Sequence, residues 1–218
     1  MRSNNERIIA TIPDEDFIRG KVPMTKSTIR DLSIIKLGLR PGDVLFDIGS
    51  GTGSIAIQAA SMNKSIKVYA IEKNKDALEL IEANRKKFEC ENVEIIHGVA
   101  PEAIKGLETP DCGFIGGSGG NLREIIDNLG TLNPNVRIVI NAISLETLGE
   151  AVSLIESYDR AKNQKGEGET ASGPTFGIED LEIEQISVSK SKEVGSYHMM
   201  MGENPIYIIS FNLQPVGK

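Results

Sequence analysis

Residues 46–54 read FDIGSGTGS and place three glycines at alternate positions directly after an apolar run. Gly49, Gly51 and Gly53 permit a tight turn and let a ligand come close to the backbone. The residues that follow, up to Met62, have a helical pattern, so the turn joins a strand to the amino end of a helix. The amides and the positive dipole end of that helix point at whatever lies in the turn. The stretch therefore predicts a strand–turn–helix unit that binds a ligand.

The spacing of the glycines distinguishes this turn from a dinucleotide fingerprint. A pyrophosphate-binding turn reads G-x-G-x-x-G, whereas here G-x-G-x-G follows Asp47 in the strand. That pattern is typical of S-adenosylmethionine-dependent methyltransferases, in which the acid orients the turn and the amino-acid part of the cofactor. Glu72 ends the next strand, 25 residues after Asp47, where a ribose-binding acid is expected. We interpret its carboxylate as the acceptor for the ribose hydroxyls; the alternative is a surface acid at the start of a helix.

Short apolar runs alternate with helical patterns from Asp43 onward. Strands are predicted at 44–48, 66–72, 93–96, 112–116 and 136–142, and this alternation indicates a parallel sheet covered by helices. Two further strand-like runs, 182–191 and 204–213, have no helical pattern between them. The predicted fold is α/β: a Rossmann-like class I methyltransferase with a mostly parallel seven-stranded sheet and a terminal antiparallel hairpin.

The chain is expected to form one principal domain preceded by a short arm. Residues 1–24 are the predicted N-terminal arm, which contributes to the substrate and cofactor site, and residues 25–218 form the methyltransferase domain. Thr25 is predicted to cap a helix at 26–37, and Asn74 to cap a helix at 75–88. Residues 163–177 read NQKGEGETASGPTFG, which predicts a flexible surface loop inserted in the domain.

Charge and composition argue against several classes of partner. The net charge of −7 disfavours binding to nucleic acid or to an anionic membrane. No apolar run approaches the roughly 18 residues that span a bilayer, and the first 17 residues resemble neither a signal nor a transit peptide. The chain has two cysteines, Cys90 and Cys112, which argues against a disulfide framework and favours a cytoplasmic protein. No cluster of His and Cys has metal-ligand spacing, so we expect no metal site.

Seven segments, taken in order, resemble one family over residues 12–211, almost the whole chain. These segments read IPDEDFIRGKVPMTK, RPGDVLFDIGSGTGS, VYAIEKN, GVAPEAI, FIGGSGG, NAISLETL and ENPIYIIS. The family is that of the decarboxylating cobalt-precorrin methyltransferases of anaerobic cobalamin biosynthesis, the CbiT family. The resemblance implies methyl transfer from S-adenosylmethionine to carbon 15 of the precorrin ring, with loss of carbon dioxide from the ring-C acetate. It also implies a homotetramer.

The resemblance further implies which residues contact the cofactor. Carried over by position, these residues are Thr25, Gly49, Ser50, Gly51, Thr52, Gly53, Glu72 and Ala100. The chain departs from the family at Val99, where relatives usually have an aspartate that accepts a hydrogen bond from the adenine amine. We therefore expect somewhat weaker cofactor binding, or a backbone contact in its place. The 163–177 loop is longer than usual and is expected not to touch the chemistry.

The acceptor is expected to carry many carboxylates, and two parts of the chain suit it. Arg19, Lys21 and Lys26 flank the VPMT segment and are predicted to bind acetate or propionate groups. The second glycine-rich stretch, FIGGSGG, follows the fourth strand and is predicted to form the floor of the acceptor pocket. Its residues in that role are Gly116, Gly117, Ser118, Gly119 and Gly120. The alternative is a flexible loop whose glycines only ease the turn.

The sequence contains no convincing acid–base pair or nucleophile–base pair, and we identify no catalytic side chain. A sulfonium methyl is already electrophilic and a meso carbon between pyrrole-type rings is enamine-like, so alignment and exclusion of water are the main tasks. A tRNA or protein methyltransferase is the alternative function. The Asn/Asp-Pro-Pro-aromatic motif of amino-directed enzymes is replaced by IGGSGG after the fourth strand. A non-catalytic subunit that binds S-adenosylmethionine is the further alternative.

Overall fold

The computed structural model describes residues 11–164 and 176–215. Within these residues lie five α-helices: α1 (Ser27–Leu37), α2 (Ser54–Met62), α3 (Lys75–Lys87), α4 (Leu122–Leu132) and α5 (Leu145–Gln164). Nine strands accompany them: β1 (Val44–Ile48), β2 (Lys67–Glu72), β3 (Val93–His97), β4 (Cys112–Ile115), β5 (Arg137–Ala142), β6 (Phe176–Ile186), β7 (Ser189–Val194), β8 (Tyr197–Gly202) and β9 (Ile206–Pro215). The predicted alternation of strands and helices is confirmed.

Seven strands form one sheet in the order β3-β2-β1-β4-β5-β9-β6. The first five pair in parallel, and β9 enters antiparallel between β5 and β6. This is the predicted mostly parallel sheet, with its last strand inserted antiparallel. The order reverses between β1 and β4, so the carboxyl ends of β1, β2 and β4 face a common crevice.

Two apolar clusters fill the spaces on either side of the sheet. Alternate residues of β1 divide between them, because successive side chains of a strand point to opposite faces. Leu45 packs with α1, α2 and α3, whereas Phe46 packs with α4 and α5. Helices on both faces explain why the parallel strands are mostly apolar.

The carboxyl-terminal part differs from the prediction in two places. The run 182–191 is divided: β6 ends at Ile186, and β7 begins at Ser189 and pairs with β8 in a separate two-stranded sheet. Both strands of this hairpin are exposed along their whole length, so they lack the buried face that makes a strand recognisable in sequence. The predicted loop 163–177 is corrected at both ends, because α5 extends to Gln164 and β6 begins at Phe176. Its remaining residues, 165–175, lie outside the described residues.

Of the two predicted N-caps, that of α3 is confirmed and that of α1 is wrong. Asn74 caps α3, since its side chain accepts a hydrogen bond from the amide of Asp76 at 2.9 Å. Thr25 does not cap α1, which begins at Ser27 and has Lys26 at its N-cap position. The carboxylate of Asp14 takes that role from the arm, accepting from the Ser27 amide at 2.9 Å.

The segment before α1 is held on the domain by a buried arginine. Arg30 of α1 is fully buried, and its guanidinium donates to Asp14 at 3.1 Å, to the carbonyl of Thr25 at 2.8 Å and to the carbonyl of Ile12. It also lies 4.7 Å from the centre of the Phe17 ring. Much of the IPDEDF motif therefore has a structural role, because it satisfies one buried cation.

Candidate active site

The first glycine loop, Gly49–Gly53, joins β1 to α2. All three glycines have positive φ, +71°, +58° and +78°, a conformation that residues with a side chain rarely adopt. The amides of Gly49 and Ser50 both donate to the carbonyl of Ile71 in β2, at 3.0 and 3.1 Å. The turn is thus anchored to the neighbouring strand.

The side chain of Asp47 stabilises this loop through hydrogen bonds. Its carboxylate accepts from the Ser50 hydroxyl at 2.6 Å and from the Ala56 amide at 3.1 Å. Complete burial raises the pKa of Asp47 to about 7, an effect that these two hydrogen bonds oppose and the charge of Glu72 reinforces. Its other oxygen, Oδ1, has no partner among the described residues, and neither has Oγ1 of Thr52.

Glu72 also holds the loop, which the sequence did not indicate. Its Oε2 accepts from the amide of Gly51 at 2.9 Å, and its Oε1 accepts from the amides of Lys73 and Asn74 at 2.8 and 2.9 Å. A carboxylate has about four acceptor positions, so capacity remains for a ligand hydroxyl. Glu72 therefore ties the end of β2 to the first glycine loop while it faces the crevice.

Asn84 links the arm to the same loop and was missed in the sequence. Its amide group donates to the carbonyls of Thr52 and Ile18 at 3.0 and 3.1 Å and accepts from the Ile18 amide at 2.8 Å. The signal that could have revealed it is a polar residue in the buried stripe of α3, in register with Ala77 and Ile81. One fully buried side chain thus connects the arm with the glycine loop.

The VPMT segment crosses over the first loop. A Cβ placed on Gly51 would lie 3.2 Å from the carbonyl oxygen of Pro23. Thr25 and Lys26 follow and line a cavity of about 710 Å³, which we call the arm cavity; its wall also includes Gly49, Ser50, Gly51 and Glu72. Arg19 and Lys21 are exposed and are not among its lining residues.

The second glycine loop, Gly116–Gly120, packs directly against the first. A Cβ on Gly49 would lie 2.7 Å from the carbonyl oxygen and 2.8 Å from the amide nitrogen of Gly117, and one on Gly116 would lie 3.2 Å from the carbonyl oxygen of Gly49. Gly119 and Gly120 have positive φ, +61° and +88°. Some of these glycines are therefore required by the contact between the two loops and others by the turn itself.

Two further cavities flank the second loop. A cavity of about 250 Å³, the Ala100 cavity, is lined by Val99, Ala100, Glu72 and Gly117–Gly119. A cavity of about 450 Å³, the α5 cavity, lies between Gly116–Gly120 and the first turns of α5. Lys73 lines both the arm cavity and the Ala100 cavity. This residue follows Glu72 directly but was not predicted as a site residue from the sequence.

In the described part of the chain, no group of three or more His, Cys, Asp or Glu could hold a metal ion. Among the same residues, no helix has the length and apolar character needed to cross a membrane.

The sheet order, the glycine loop after β1 and the acid after β2 define a Rossmann-like, S-adenosylmethionine-dependent methyltransferase. A family model described as "Precorrin methyltransferase domain" matches residues 16–164, and the chain belongs to this family. A cobalt-precorrin-6B C(15)-methyltransferase (decarboxylating) from Salmonella typhimurium is 36% identical over 199 residues, which cover 90% of this chain and 93% of that protein.

Solved structures agree with this family assignment. The precorrin-6y C5,15-methyltransferase from Geobacter metallireducens has a TM-score of 0.79 and 34% identity, covering 94% of this chain and 99% of that chain. The precorrin 8W decarboxylase from Methanobacterium thermoautotrophicum has a TM-score of 0.76 and 30% identity, covering 92% and 98%.

Proposed function

We propose that the chain methylates carbon 15 of a cobalt-precorrin with S-adenosylmethionine as methyl donor, and releases the carboxylate of the ring-C acetate as carbon dioxide. The observation that carries the proposal is the wall of the arm cavity. It combines a segment typical of this family, Val22–Lys26, with the glycine loop and acid common to all these methyltransferases. A donor and a family-specific acceptor would therefore meet in one place.

The residues present fit S-adenosylmethionine. The first glycine loop presents backbone without side chains, Glu72 retains capacity to accept from ribose hydroxyls, and Ala100 lies beside an apolar wall suited to adenine. When bound, the cofactor supplies an electrophilic methyl group. Thr25 and the loop residues Gly49, Ser50, Gly51, Thr52 and Gly53 are its remaining proposed contacts.

The acceptor is a large flat ring with many carboxylates. The second glycine loop would form its floor, since glycines allow close approach and leave amides exposed. Lys26 and Lys73 line the arm cavity and would bind retained carboxylates. Arg19 and Lys21, exposed in the arm, are proposed to contribute at its rim.

The protein's part in the reaction is to align the reactants and exclude water. The meso carbon of the acceptor is nucleophilic without prior deprotonation, so no protein base is needed for methylation. Loss of the acetate carboxylate leaves an electron pair that the conjugated ring absorbs.

The decisive experiment is to incubate the protein with S-adenosylmethionine and the cobalt-precorrin and to measure product mass. Gain of a methyl group together with loss of carbon dioxide is expected. Methylation of tRNA or of a protein instead would overturn the proposal in favour of the alternative enzyme. Binding of S-adenosylmethionine without turnover of any of these acceptors would favour a non-catalytic subunit.

Charge removal in the arm tests the acceptor site separately. Replacing Arg19 and Lys21 by Met should raise the KM for the cobalt-precorrin severalfold, because two carboxylate contacts are lost, with little change in the Kd for S-adenosylmethionine. Lys26→Met should have the larger effect, since Lys26 lines the cavity. An unchanged KM in these variants would show that the arm does not bind the acceptor.

We also propose that the protein is a cytoplasmic homotetramer, with residues 1–24 as a functional arm on the domain 25–218. The β7–β8 hairpin supports self-association, because Tyr197, Met199, Met200 and Met201 are 51–75% exposed and apolar surface of this kind marks interfaces. Both cysteines are unpaired and buried, which suits a reducing compartment. Light scattering should give the mass of four chains, and Met199→Lys with Met201→Lys should lower it.

A further inference from the structure

Asn141 places a polar side chain directly after the buried apolar run of β5. It lies near the carboxyl end of β5, where Ile138, Val139 and Ile140 are buried, and it is itself only 8% exposed. It lines both the arm cavity and the α5 cavity. A buried amide is destabilising unless its hydrogen bonds are made, so its partners decide its role.

The hydrogen bonds of Asn141 are incomplete. Among the described residues, its side chain has hydrogen-bonding distances only to the Ser33 hydroxyl: Nδ2 lies 3.0 Å and Oδ1 3.2 Å from that oxygen. Ser33 has one hydroxyl proton, and the carbonyl of Ile29 is the nearer acceptor at 2.8 Å. With that proton directed to Ile29, Asn141 donates one N–H to Ser33. Its second N–H and its Oδ1 then have no partner.

The two cavities that meet at Asn141 differ in charge. Among the described lining residues, the arm cavity has two cations, Lys26 and Lys73, which balance two acids, Glu72 and Glu203. The charged residues that line the α5 cavity in the described chain are both acids, Glu146 and Glu150. A carboxylate in the arm cavity can be neutralised, whereas one in the α5 cavity meets a neutral amide and two like charges.

We propose that the α5 cavity is the subsite for the acetate carboxylate that is lost, and that Asn141 orients this carboxylate by donating its second N–H. The inference rests on the proposed function. In the step itself, the bond between the acetate methylene and its carboxyl carbon breaks. The electron pair stays on the methylene carbon and delocalises into the ring, carbon dioxide leaves, and a proton from water completes the methyl group.

A neutral donor suits this step better than a cation. Charge moves from the carboxylate into the ring as the bond breaks, so a cation at the carboxylate would stabilise the ground state more than the transition state. A single hydrogen bond from a neutral amide fixes the direction of the carboxylate and stabilises the ground state less than a cation would. Glu146 and Glu150 act in the same sense, because their repulsion of the carboxylate ends when neutral carbon dioxide forms.

Two variants test the assignment in opposite ways. Asn141→Leu should lower the ratio of decarboxylated to carboxylate-retaining methylated product by about tenfold, because the carboxylate loses the hydrogen bond that fixes its direction relative to the ring. Glu150→Lys should lower the KM for the cobalt-precorrin severalfold and yet lower the same product ratio, because the new cation stabilises the carboxylate. Product masses and the KM are measured in the full chain, together with the Kd for S-adenosylmethionine, which should not change.

Matched controls separate these effects from stability and from net charge. Ser210→Ala removes a buried polar group from the neighbouring strand β9, and Glu79→Lys makes the same charge change on the exposed face of α3; both should leave the ratio at the wild-type value. If Asn141→Leu does not fold, Asn141→Asp and Glu150→Lys provide the test. A wild-type product ratio in the Asn141 and Glu150 variants overturns the inference alone. A wild-type chain that does not methylate the cobalt-precorrin overturns the proposed function instead.

Discussion

The two glycine loops have similar compositions but are held in different ways. The first is bonded to side chains from three elements: Asp47 of β1, Glu72 of β2 and Asn84 of α3. The second, Gly116–Gly120, is held through its own amides: that of Gly116 donates to the carbonyl of Ile48 in β1 at 2.9 Å, and that of Gly120 to the Ser118 hydroxyl at 3.3 Å. Glycine content alone therefore does not define a role, whereas the number of side chains that anchor a loop indicates how rigidly it presents a ligand site.

Even their direct contact is asymmetric. At Gly49 an added Cβ would overlap the backbone of Gly117, in a conformation with φ of +71°. At Gly117 an added Cβ has nothing within 4 Å. The contact therefore requires glycine at position 49 but not at position 117.

The strongest test of this asymmetry is to add the same methyl group on each side. Gly49→Ala should lower the free energy of unfolding by roughly 3 kcal/mol, since both the positive φ and the overlap are unfavourable. It should weaken S-adenosylmethionine binding by about 100-fold or more. Gly117→Ala is the matched control for stability and should change the free energy of unfolding little, since its added Cβ has nothing within 4 Å. Denaturant unfolding and calorimetric titration measure stability and binding, and equal losses of stability at the two positions would refute the comparison.

Removing Asn84 should loosen the first loop and leave the second in place. Asn84→Leu leaves the amide of Ile18 and the carbonyls of Ile18 and Thr52 without their partner, so we expect a loss of roughly 2 to 3 kcal/mol in unfolding free energy. Cleavage within the arm should become faster in limited proteolysis. Asn128→Leu, which removes a bond within α4, is the control; a similar loss there would show that Asn84 has no special connecting role.

The first loop should also make stability depend on pH, since Asp47 titrates beneath it and the second loop has no titratable side chain. The folded-state pKa of Asp47, about 7, is above that of the unfolded chain, so the native state holds the proton more tightly. Stability from this group is then lost as pH rises, by about 2 kcal/mol between pH 5.5 and 8. Asp47→Asn cannot ionise and should lose this slope in denaturant unfolding. An Asn variant with the wild-type slope would contradict the assignment.

The smallest effect is expected at Val99, in the cavity between the two loops. Val99 is 42% exposed and lines the Ala100 cavity, so Val99→Asp places an acceptor there without disturbing the core. The Kd for S-adenosylmethionine should fall severalfold, by the value of one exposed hydrogen bond. Val99→Asn, of similar size but uncharged, serves as comparison. If binding does not tighten with Asp, the backbone has replaced the missing acid.

The elements near the first loop could be predicted from the sequence, because the residues that form the site there also have recognisable local patterns. Apolar strands, three alternating glycines and an acid at the next strand end are all visible without coordinates. The bracing by Asn84 and Arg30 could not be predicted with the same ease, since both bond to backbone atoms distant in sequence. The capping of α1 by Asp14 was missed for the same reason, and Thr25 was chosen wrongly from local pattern alone.

The β7–β8 hairpin marks a second limit. Its strands are exposed on both faces, so they lack the alternation of apolar and polar residues that would have marked where β6 ends and β7 begins.

The contact between the two glycine loops could not be predicted either, because a glycine indicates which backbone conformations are possible and not which neighbour the backbone packs against. What remained predictable at the second loop was its position at the carboxyl end of β4.

The insertion of β9 between β5 and β6 also constrains how the chain is made. Strands β1 to β5 can pair as they leave the ribosome, but β6 joins the sheet only through β9, which is synthesised after it. Until residue 215 has emerged, the outer edge of β5, which includes Asn141, presents unpaired amides and carbonyls. Nascent chains that stall before Ile206 should therefore be the species most prone to aggregation and most dependent on chaperones.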